Sequence, residues 1–261
     1  MSEVFVHAGF HKTGTSSLQD YLRRHRARLA ADLRIALPED MAGPVAAGLA
    51  CGRAPLAWRR RRFGRALAAW FACQPRDGRP LFMSWEGFAG LMPGHRDALG
   101  RTVRTYGMAL PMARAILNAA LRGIGPETRV SFLYTTRDQA SWARSVHGHI
   151  LRSRRLTEDE ARFRHRLAPL GPTLAALLAG LPVPVHEIML EEAARHRLGP
   201  AGPALMIAGL PEARLAALPR APVTNRGDGA DLRAAYLSMN RKTRDRPALA
   251  QAKAAMGKAH G

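Results

Sequence analysis

The chain has 261 residues, 47% of them hydrophobic, and carries a formal net charge of +20. That size and apolar content allow one sizeable core, so we expect a single domain over residues 1–261, with residues 245–261 as a weak helix or a frayed tail. Of the 40 Lys and Arg residues only four are Lys, and so much Arg beside the many Ala, Gly and Pro residues indicates a GC-rich coding sequence. The charge alone therefore does not predict a nucleic acid partner, and we expect none. It suits a basic cleft for an anionic ligand.

The cysteines and the hydrophobic segments exclude several classes of protein. Cys51 and Cys73 are too few for a disulfide framework and show no metal-site pattern. No window is long and apolar enough for a membrane span, and the first predicted strand begins by Val4, which leaves no room for a signal peptide. We therefore expect a cytoplasmic protein with two free thiols.

Short apolar runs alternate with helical patterns along the chain. Strands are predicted over residues 3–7, 80–84, 129–135 and 184–190. Helices are predicted over residues 13–29, 58–73, 138–152, 231–240 and most of 95–123. The Gly- and Pro-rich residues 38–57 are expected to form a loop with one short helix. Short strands separated by helices imply a parallel sheet covered on both faces, which is a three-layer α/β sandwich.

The first predicted strand is followed by Gly9-Phe-His-Lys-Thr-Gly-Thr-Ser16 and then by a helix. A loop in this position exposes backbone N–H groups at the positive end of the helix, where anions bind. Gly9 and Gly14 permit a tight turn and close approach of the backbone to a ligand. Lys12 supplies positive charge, and hydroxyl donors come from Thr13, Thr15 and Ser16.

This loop differs from the ATP-binding loop, whose pattern is G-x-x-x-x-G-K-[ST]. Gly9 and Gly14 have the spacing of the two glycines, but Thr15 follows the second one and the lysine lies inside the loop. No apolar strand ends in an Asp that would hold Mg²⁺. These features argue against a kinase, although a P-loop kinase acting on a small metabolite remains an alternative.

Residues 6–22, VHAGFHKTGTSSLQDYL, resemble the 5'-phosphosulfate-binding motif of sulfotransferases that use 3'-phosphoadenosine 5'-phosphosulfate (PAPS). The likeness is to bacterial members with an HKTGT-type loop followed by Leu-Gln. It implies a P-loop nucleoside-kinase-like sulfotransferase fold and transfer of a sulfuryl group from PAPS to a hydroxyl or amine, without a metal. The residues that the resemblance assigns to PAPS in this loop are Gly9, Lys12, Thr13, Gly14, Thr15 and Ser16.

The family pattern also has an Arg after a strand and a Ser eight residues later, both on the 3'-phosphate. Arg137 and Ser145 have this spacing, and an Arg at a strand end can bind a phosphate with two parallel hydrogen bonds. Taken alone, the pattern also fits an Arg137 that pairs with Asp138 or another carboxylate. A late Gly-rich loop is predicted over residues 224–229, the resemblance implies a role in it for Arg226, and a plain surface turn is the alternative.

Sulfuryl transfer requires stabilisation of the leaving bisphosphate and removal of a proton from the acceptor. Resemblance and chemistry both give the first role to Lys12. Glu86 is the expected base, because it follows a predicted strand whose carboxyl end opens into the ligand crevice, and similar bacterial sequences carry Ser-x-Glu there. A helix cap or an ion pair with a structural Arg is the alternative for Glu86. His11 is the rival base.

The remaining features are less informative about the acceptor. His7 is typical of a buried core histidine, whereas His147 and His149 are expected near the acceptor side. The Arg59–Arg65 run predicts a solvated helix face, with an anionic acceptor site as the alternative. Residues 95–127 and 153–182 are expected to shape the acceptor pocket, and we favour carbohydrates over phenols. A non-catalytic nucleotide-binding protein is the other alternative function.

Overall fold

The structure is a computed structural model that describes residues 2–222 and 229–259. In these residues five strands form one sheet with the order β2-β3-β1-β4-β5, and every neighbouring pair is parallel. The strands are β1 (Glu3–His7), β2 (Arg34–Ala36), β3 (Leu81–Ser84), β4 (Arg129–Thr136) and β5 (Val185–Met189). The four predicted strands are confirmed.

Helices cover both faces of this sheet. They are α1 (Thr15–Leu29), α2 (Ala42–Arg53), α3 (Ala57–Ala72), α4 (Ala109–Gly123), α5 (Gln139–Ser153), α6 (Glu160–His165), α7 (Gly171–Gly180), α8 (Leu190–Ala193), α9 (Ala201–Ile207), α10 (Glu212–Ala217), α11 (Ala230–Lys242) and α12 (Arg246–Ala259). Among the described residues, no helix is of a length and apolarity that would let it cross a membrane.

The side chains of the central strands point alternately to the two faces of the sheet, so the interior consists of two hydrophobic cores. On β4, Phe132 and Tyr134 point into the core beneath α3 and α4, while Leu133 points into the core beneath α1 and α9. All three side chains are 0% exposed. This burial on both faces explains why the strand is a continuous apolar run, and it confirms the predicted three-layer sandwich.

The central position of β1 decides which loops can meet. His7, its last residue, is in register with Ser84 at the end of β3 and with Leu133 of β4. The segments that follow these three strands therefore share one edge of the sheet. A parallel sheet in the order 2-3-1-4-5, with a glycine loop after the central first strand, has the P-loop nucleoside-kinase arrangement that was expected.

Residues 38–57 were expected to form a loop with one short helix; the helix α2 is present, but it covers most of the segment and is longer than expected. Its glycines serve close packing. A Cβ on Gly48 would lie 2.7 Å from a ring carbon of Trp85, and one on Gly52 would lie 3.1 Å from a backbone nitrogen. Glycine thus lets this helix approach the turn after β3, although in the sequence it indicates a loop.

Two other sequence expectations differ from the structure. Residues 95–108 are not helical and contain an isolated antiparallel bridge between Arg96 and Thr102. The three-residue strand β2 was not predicted, since so short a run shows no periodicity. At the carboxyl end of the chain, the segment expected as a weak helix or frayed tail contains α12, in which Leu249 is 3% exposed.

Candidate functional site

A cleft of about 890 Å³ lies at the carboxyl ends of the three central strands. It brings together residues that are far apart in the sequence. The predicted site residues that line it are His11, Lys12, Gly14, Thr15, Ser16, Glu86, Arg137 and Ser145. Gly9 and Thr13 belong to the same loop after β1, but they are buried and do not line the cleft. Arg226, and residues 224–228 of its predicted loop, lie outside the described part of the chain.

Three carbonyl groups of the loop after β1 accept hydrogen bonds, one from within the loop and two from the segment after β4. Thr13 donates its hydroxyl to the carbonyl of Phe10 within the loop. The Trp142 indole of α5 donates to the carbonyl of His11 (3.0 Å). Arg137, between β4 and α5, donates to the carbonyl of Lys12 (3.3 Å). These hydrogen bonds hold the loop in place, and the residues at the start of α1 line the cleft.

The start of α1 itself lacks a side-chain cap. Gly14 occupies the N-cap position, no side chain accepts a hydrogen bond there, and the first turn contains no acidic residue. The hydroxyl of Thr15 is buried with no partner among the described residues. Uncapped N–H groups at a helix start attract anions, and the Thr15 hydroxyl is an additional donor.

The two glycines of the loop are needed for different reasons. A Cβ on Gly9 would lie 2.5 Å from the Thr135 hydroxyl and 2.7 Å from a ring nitrogen of His7. Gly14 has a φ of 92°, and its Cβ would lie 2.6 Å from Leu190. Close approach thus requires the first glycine, whereas the second is required by both backbone conformation and space.

Arg137 lies half-buried beside the loop. Its Nε donates to the Ser141 hydroxyl (3.0 Å), and no carboxylate of the described residues lies within salt-bridge distance of its guanidinium. Asp138 instead caps α5 by accepting from the Ser141 N–H (2.9 Å). Burial lowers the pKa of Arg137, and the more distant carboxylates of Glu191 and Asp138 oppose that effect. A desolvated guanidinium without a close carboxylate is suited to a phosphate.

Glu86 is held by a hydrogen-bond network that crosses the ends of three strands. Gln19 donates to its carboxylate (3.3 Å) and to the backbone carbonyl of Ser84 (3.2 Å). Ser84 is bonded to His7 (2.8 Å), which is bonded in turn to Thr135 (2.6 Å). No described arginine pairs with Glu86, so the structural ion pair considered for it is not formed. Its carboxylate instead faces the cleft beside the loop.

His11 has the geometry of a neutral hydrogen-bond donor. The Tyr106 hydroxyl accepts from the His11 backbone N–H (2.9 Å) and lies 3.2 Å from its Nδ1. This pairing favours a Tyr106 hydroxyl that donates to Nδ1, which places the ring proton on Nε2. Burial lowers the pKa of His11 to about 3, with His95, His149 and Lys12 acting in the same direction. A base would need a free ring nitrogen, so Glu86 suits that role better than His11.

Positive charge dominates the wall of the cleft. Among the residues that the structure describes, its lining has two acidic side chains, Asp20 and Glu86, against Lys12 and eight arginines. The arginines are Arg24, Arg137, Arg144, Arg152, Arg195, Arg197, Arg220 and Arg233. Sequence reasoning found only Arg137 among them, because the others come from separate segments with no motif. Such a concentration of positive charge indicates a ligand with several negative charges.

Other residues singled out in the sequence lie elsewhere or have structural roles. The Arg59–Arg65 run is on α3 and does not line the cleft. His7 is fully buried with two side-chain partners, as expected for a core histidine. The His147 ring is bonded to the carbonyl of Glu158 (2.9 Å), whereas His149 lines the cleft. In the described part of the chain, no three His, Cys, Asp or Glu residues are grouped so as to hold a metal.

Acidification is expected to destabilise the protein through its buried histidines. Burial lowers the pKa of His7 from 6.5 to about 4, so below pH 6.5 the unfolded chain binds a proton that the folded protein does not. The free energy of unfolding should fall by up to about 1.4 kcal/mol per pH unit for this group as the pH drops from 6.5 towards 4. Urea unfolding at pH 7, 6 and 5 measures the slope. His7→Gln should reduce it, and an unchanged slope in that variant would contradict the assignment.

The fold and the site together define a P-loop-type α/β protein with a candidate anion-binding cleft. No protein-family model matches the sequence, and no curated protein matches it. Among solved structures, it is similar to the crystal structure of a sulfotransferase from Alicyclobacillus acidocaldarius. The two chains are 17% identical, the TM-score is 0.47, and the alignment covers 90% of this chain and 91% of that one.

Proposed function

We propose that this protein is a sulfotransferase that transfers a sulfuryl group from PAPS to a hydroxyl or amine. One observation carries the proposal. Two anion-binding elements, the loop after β1 and Arg137 with Ser145 after β4, follow adjacent parallel strands and line one cationic cleft. A nucleotide with phosphates on both its 3' and 5' positions requires two such elements side by side.

The residues present suit the two ends of this nucleotide. The uncapped start of α1, with the buried and unpartnered hydroxyl of Thr15, offers donors to the 5'-phosphosulfate. Arg137 and Ser145 offer a guanidinium and a hydroxyl to the 3'-phosphate. PAPS supplies the sulfuryl group, and 3',5'-ADP is the leaving group. The protein must stabilise the charge on this leaving group and remove the proton of the acceptor.

In the transfer, the acceptor oxygen or nitrogen forms a bond to sulfur while the bond between sulfur and the phosphate oxygen breaks. The electron pair of that bond goes to the phosphate of 3',5'-ADP, where the ammonium of Lys12 stabilises the growing charge. Glu86 accepts the acceptor proton, and Gln19 orients its carboxylate. The Nε2–H of His11 is available to a sulfuryl oxygen.

Isothermal titration with 3',5'-ADP, and separately with ATP and Mg²⁺, tests this proposal. We expect 3',5'-ADP to bind, and to bind more tightly than ATP. Its affinity should be unchanged in Arg61→Ala, a control that removes one positive charge from an exposed position on α3. A preference for ATP with Mg²⁺ would favour the small-metabolite kinase. No binding of either nucleotide would overturn the proposal.

Replacing Glu86 with Gln is expected to separate chemistry from nucleotide binding. The amide cannot accept the acceptor proton, so turnover should fall by about 10²–10⁴-fold while 3',5'-ADP affinity stays nearly unchanged. The measurement is PAPS consumption with carbohydrate acceptors and with water alone. Asp20→Asn is the matched control, because Asp20 is a second carboxylate in the described lining of the cleft and pairs with Arg23 (2.8 Å). Equal losses in the two variants would remove Glu86 from the role of base.

A further inference from the structure

A second cationic cleft adjoins the first. It has a volume of about 820 Å³ and lies between the carboxyl end of α5, residues 154–158 and the helices α11 and α12. Its basic residues are Arg96, Arg152, Arg154, Arg155, Arg166, Arg246 and Lys253. Arg152 lines both clefts, so a ligand longer than one sugar or nucleotide can extend from one into the other.

Four arginines of this second cleft have no carboxylate within salt-bridge distance among the described residues. Glu158 is the one carboxylate in its described lining, and Arg166 pairs with it at 2.8 Å. Two other arginines donate to backbone carbonyls, Arg96 to Gly100 and Arg155 to Thr243. In the part of the chain that the structure describes, no carboxylate lies within salt-bridge distance of Arg96, Arg154, Arg155 or Arg246. These cations are therefore suited to an external anion.

Buried polar groups form the floor of the second cleft. Tyr236 lines it with a side chain that is 0% exposed, and its hydroxyl has no partner among the described residues. Lys253 is 7% exposed and donates to the carbonyls of Leu151 and Arg154, which ties α12 to the end of α5. A buried hydroxyl without a partner is unfavourable unless a bound polar group forms a hydrogen bond with it. The Tyr236 hydroxyl therefore favours a polar ligand in this cleft.

We propose that the second cleft binds the negative groups of the acceptor, and that the acceptor is an oligosaccharide with a carboxylate or sulfate on successive sugars. The assignment of this ligand as an acceptor rests on the proposed sulfotransferase function. Planar guanidinium groups bind carboxylates and sulfates with paired hydrogen bonds, and anchoring several of them holds one sugar hydroxyl near Glu86. A single-stranded nucleic acid fits less well, because the lining offers no exposed aromatic ring on which bases would stack.

The test is calorimetric binding of three six-sugar probes at one salt concentration: hexagalacturonate, sulfated maltohexaose and neutral maltohexaose. We expect the two anionic probes to bind and the neutral one not to bind. The anionic probe with the higher affinity shows whether the cleft prefers carboxylate or sulfate groups. The double variant Arg154→Ala/Arg246→Ala should weaken the anionic probes at least about tenfold, since each loses charge-assisted hydrogen bonds. Arg61→Ala/Arg62→Ala on α3 removes the same charge from an exposed surface and should leave both affinities nearly unchanged.

Three results would overturn the site. These are no binding of either anionic probe, equal losses in the two double variants, or tighter binding of poly(U) that is lost in Arg154→Ala/Arg246→Ala. Titration of the original protein and of both double variants with 3',5'-ADP distinguishes failure of the anion site from failure of the proposed sulfotransferase function. If the anionic probes bind as expected while 3',5'-ADP does not bind at all, the anion site stands and the sulfotransferase proposal fails.

Discussion

Arg137→Ala is expected to weaken the binding of 3',5'-ADP about 100-fold, because the 3'-phosphate would lose charge-assisted hydrogen bonds from a guanidinium that is already desolvated. Calorimetry with 3',5'-ADP measures the loss. Calorimetry with 5'-AMP, which has no 3'-phosphate, should show little difference between the variant and the original protein. That contrast assigns Arg137 to the 3' end of the nucleotide.

Two further variants sharpen this result. Arg137→Lys keeps the charge but not the planar pair of donors, so we expect most of the loss to remain. Arg144 lines the same cleft from α5, the helix that follows Arg137, but its Nε is bonded to Glu160 (3.1 Å), so Arg144→Ala should change the affinity by less than about fivefold. Similar losses in Arg137→Ala and Arg144→Ala would show that only the overall charge of the cleft matters.

Lys12→Ala is expected to lower the rate of sulfuryl transfer by about 10²–10³-fold, with a smaller effect on 3',5'-ADP binding. The reason is that the negative charge on the leaving oxygen grows during transfer, so the ammonium of Lys12 stabilises the transition state more than the bound nucleotide. Single-turnover conversion of PAPS to 3',5'-ADP measures the rate, and calorimetry measures the affinity. An equal loss in both quantities would instead give Lys12 a role in binding alone.

The backbone at Lys12 provides a control for this variant. Its φ of 67° is left-handed, a conformation that Asn adopts more readily than other residues with a side chain. Lys12→Asn therefore removes the ammonium while relieving any backbone strain, and we expect it to be as slow as Lys12→Ala. Recovery of the rate in Lys12→Asn would indicate that loop geometry, rather than charge, explains the loss.

Much of the fold, and part of the candidate site, could be predicted from local patterns in the sequence. The continuous apolar run of β4 results from burial on both faces of a parallel sheet, so the strand is recognisable without any tertiary information. The loop from Gly9 to Ser16 needs glycines at two fixed positions for steric reasons, and these are visible as a motif. The spacing of Arg137 and Ser145 is likewise confined to one strand end and one helix.

Segments whose conformation depends on distant neighbours were not predictable. Gly48 and Gly52 lie within α2 at points where neighbouring residues leave little or no room for a Cβ, and nothing in their own sequence context indicates that contact. Tyr106 belongs to a non-helical segment and acquires its role only through the hydrogen bond with His11, 95 residues away. Its partner therefore could not be named from the sequence.

The sequence by itself determined the parallel α/β class and the place of the glycine loop after β1, because strands, helices and turns leave patterns within a few residues along the chain. Only the tertiary structure decided that Lys12, Glu86 and Arg137 share one cleft, since this follows from the register and order of β3, β1 and β4. It also decided that scattered arginines converge there and in the second cleft, because side chains from separate segments meet only when the chain folds.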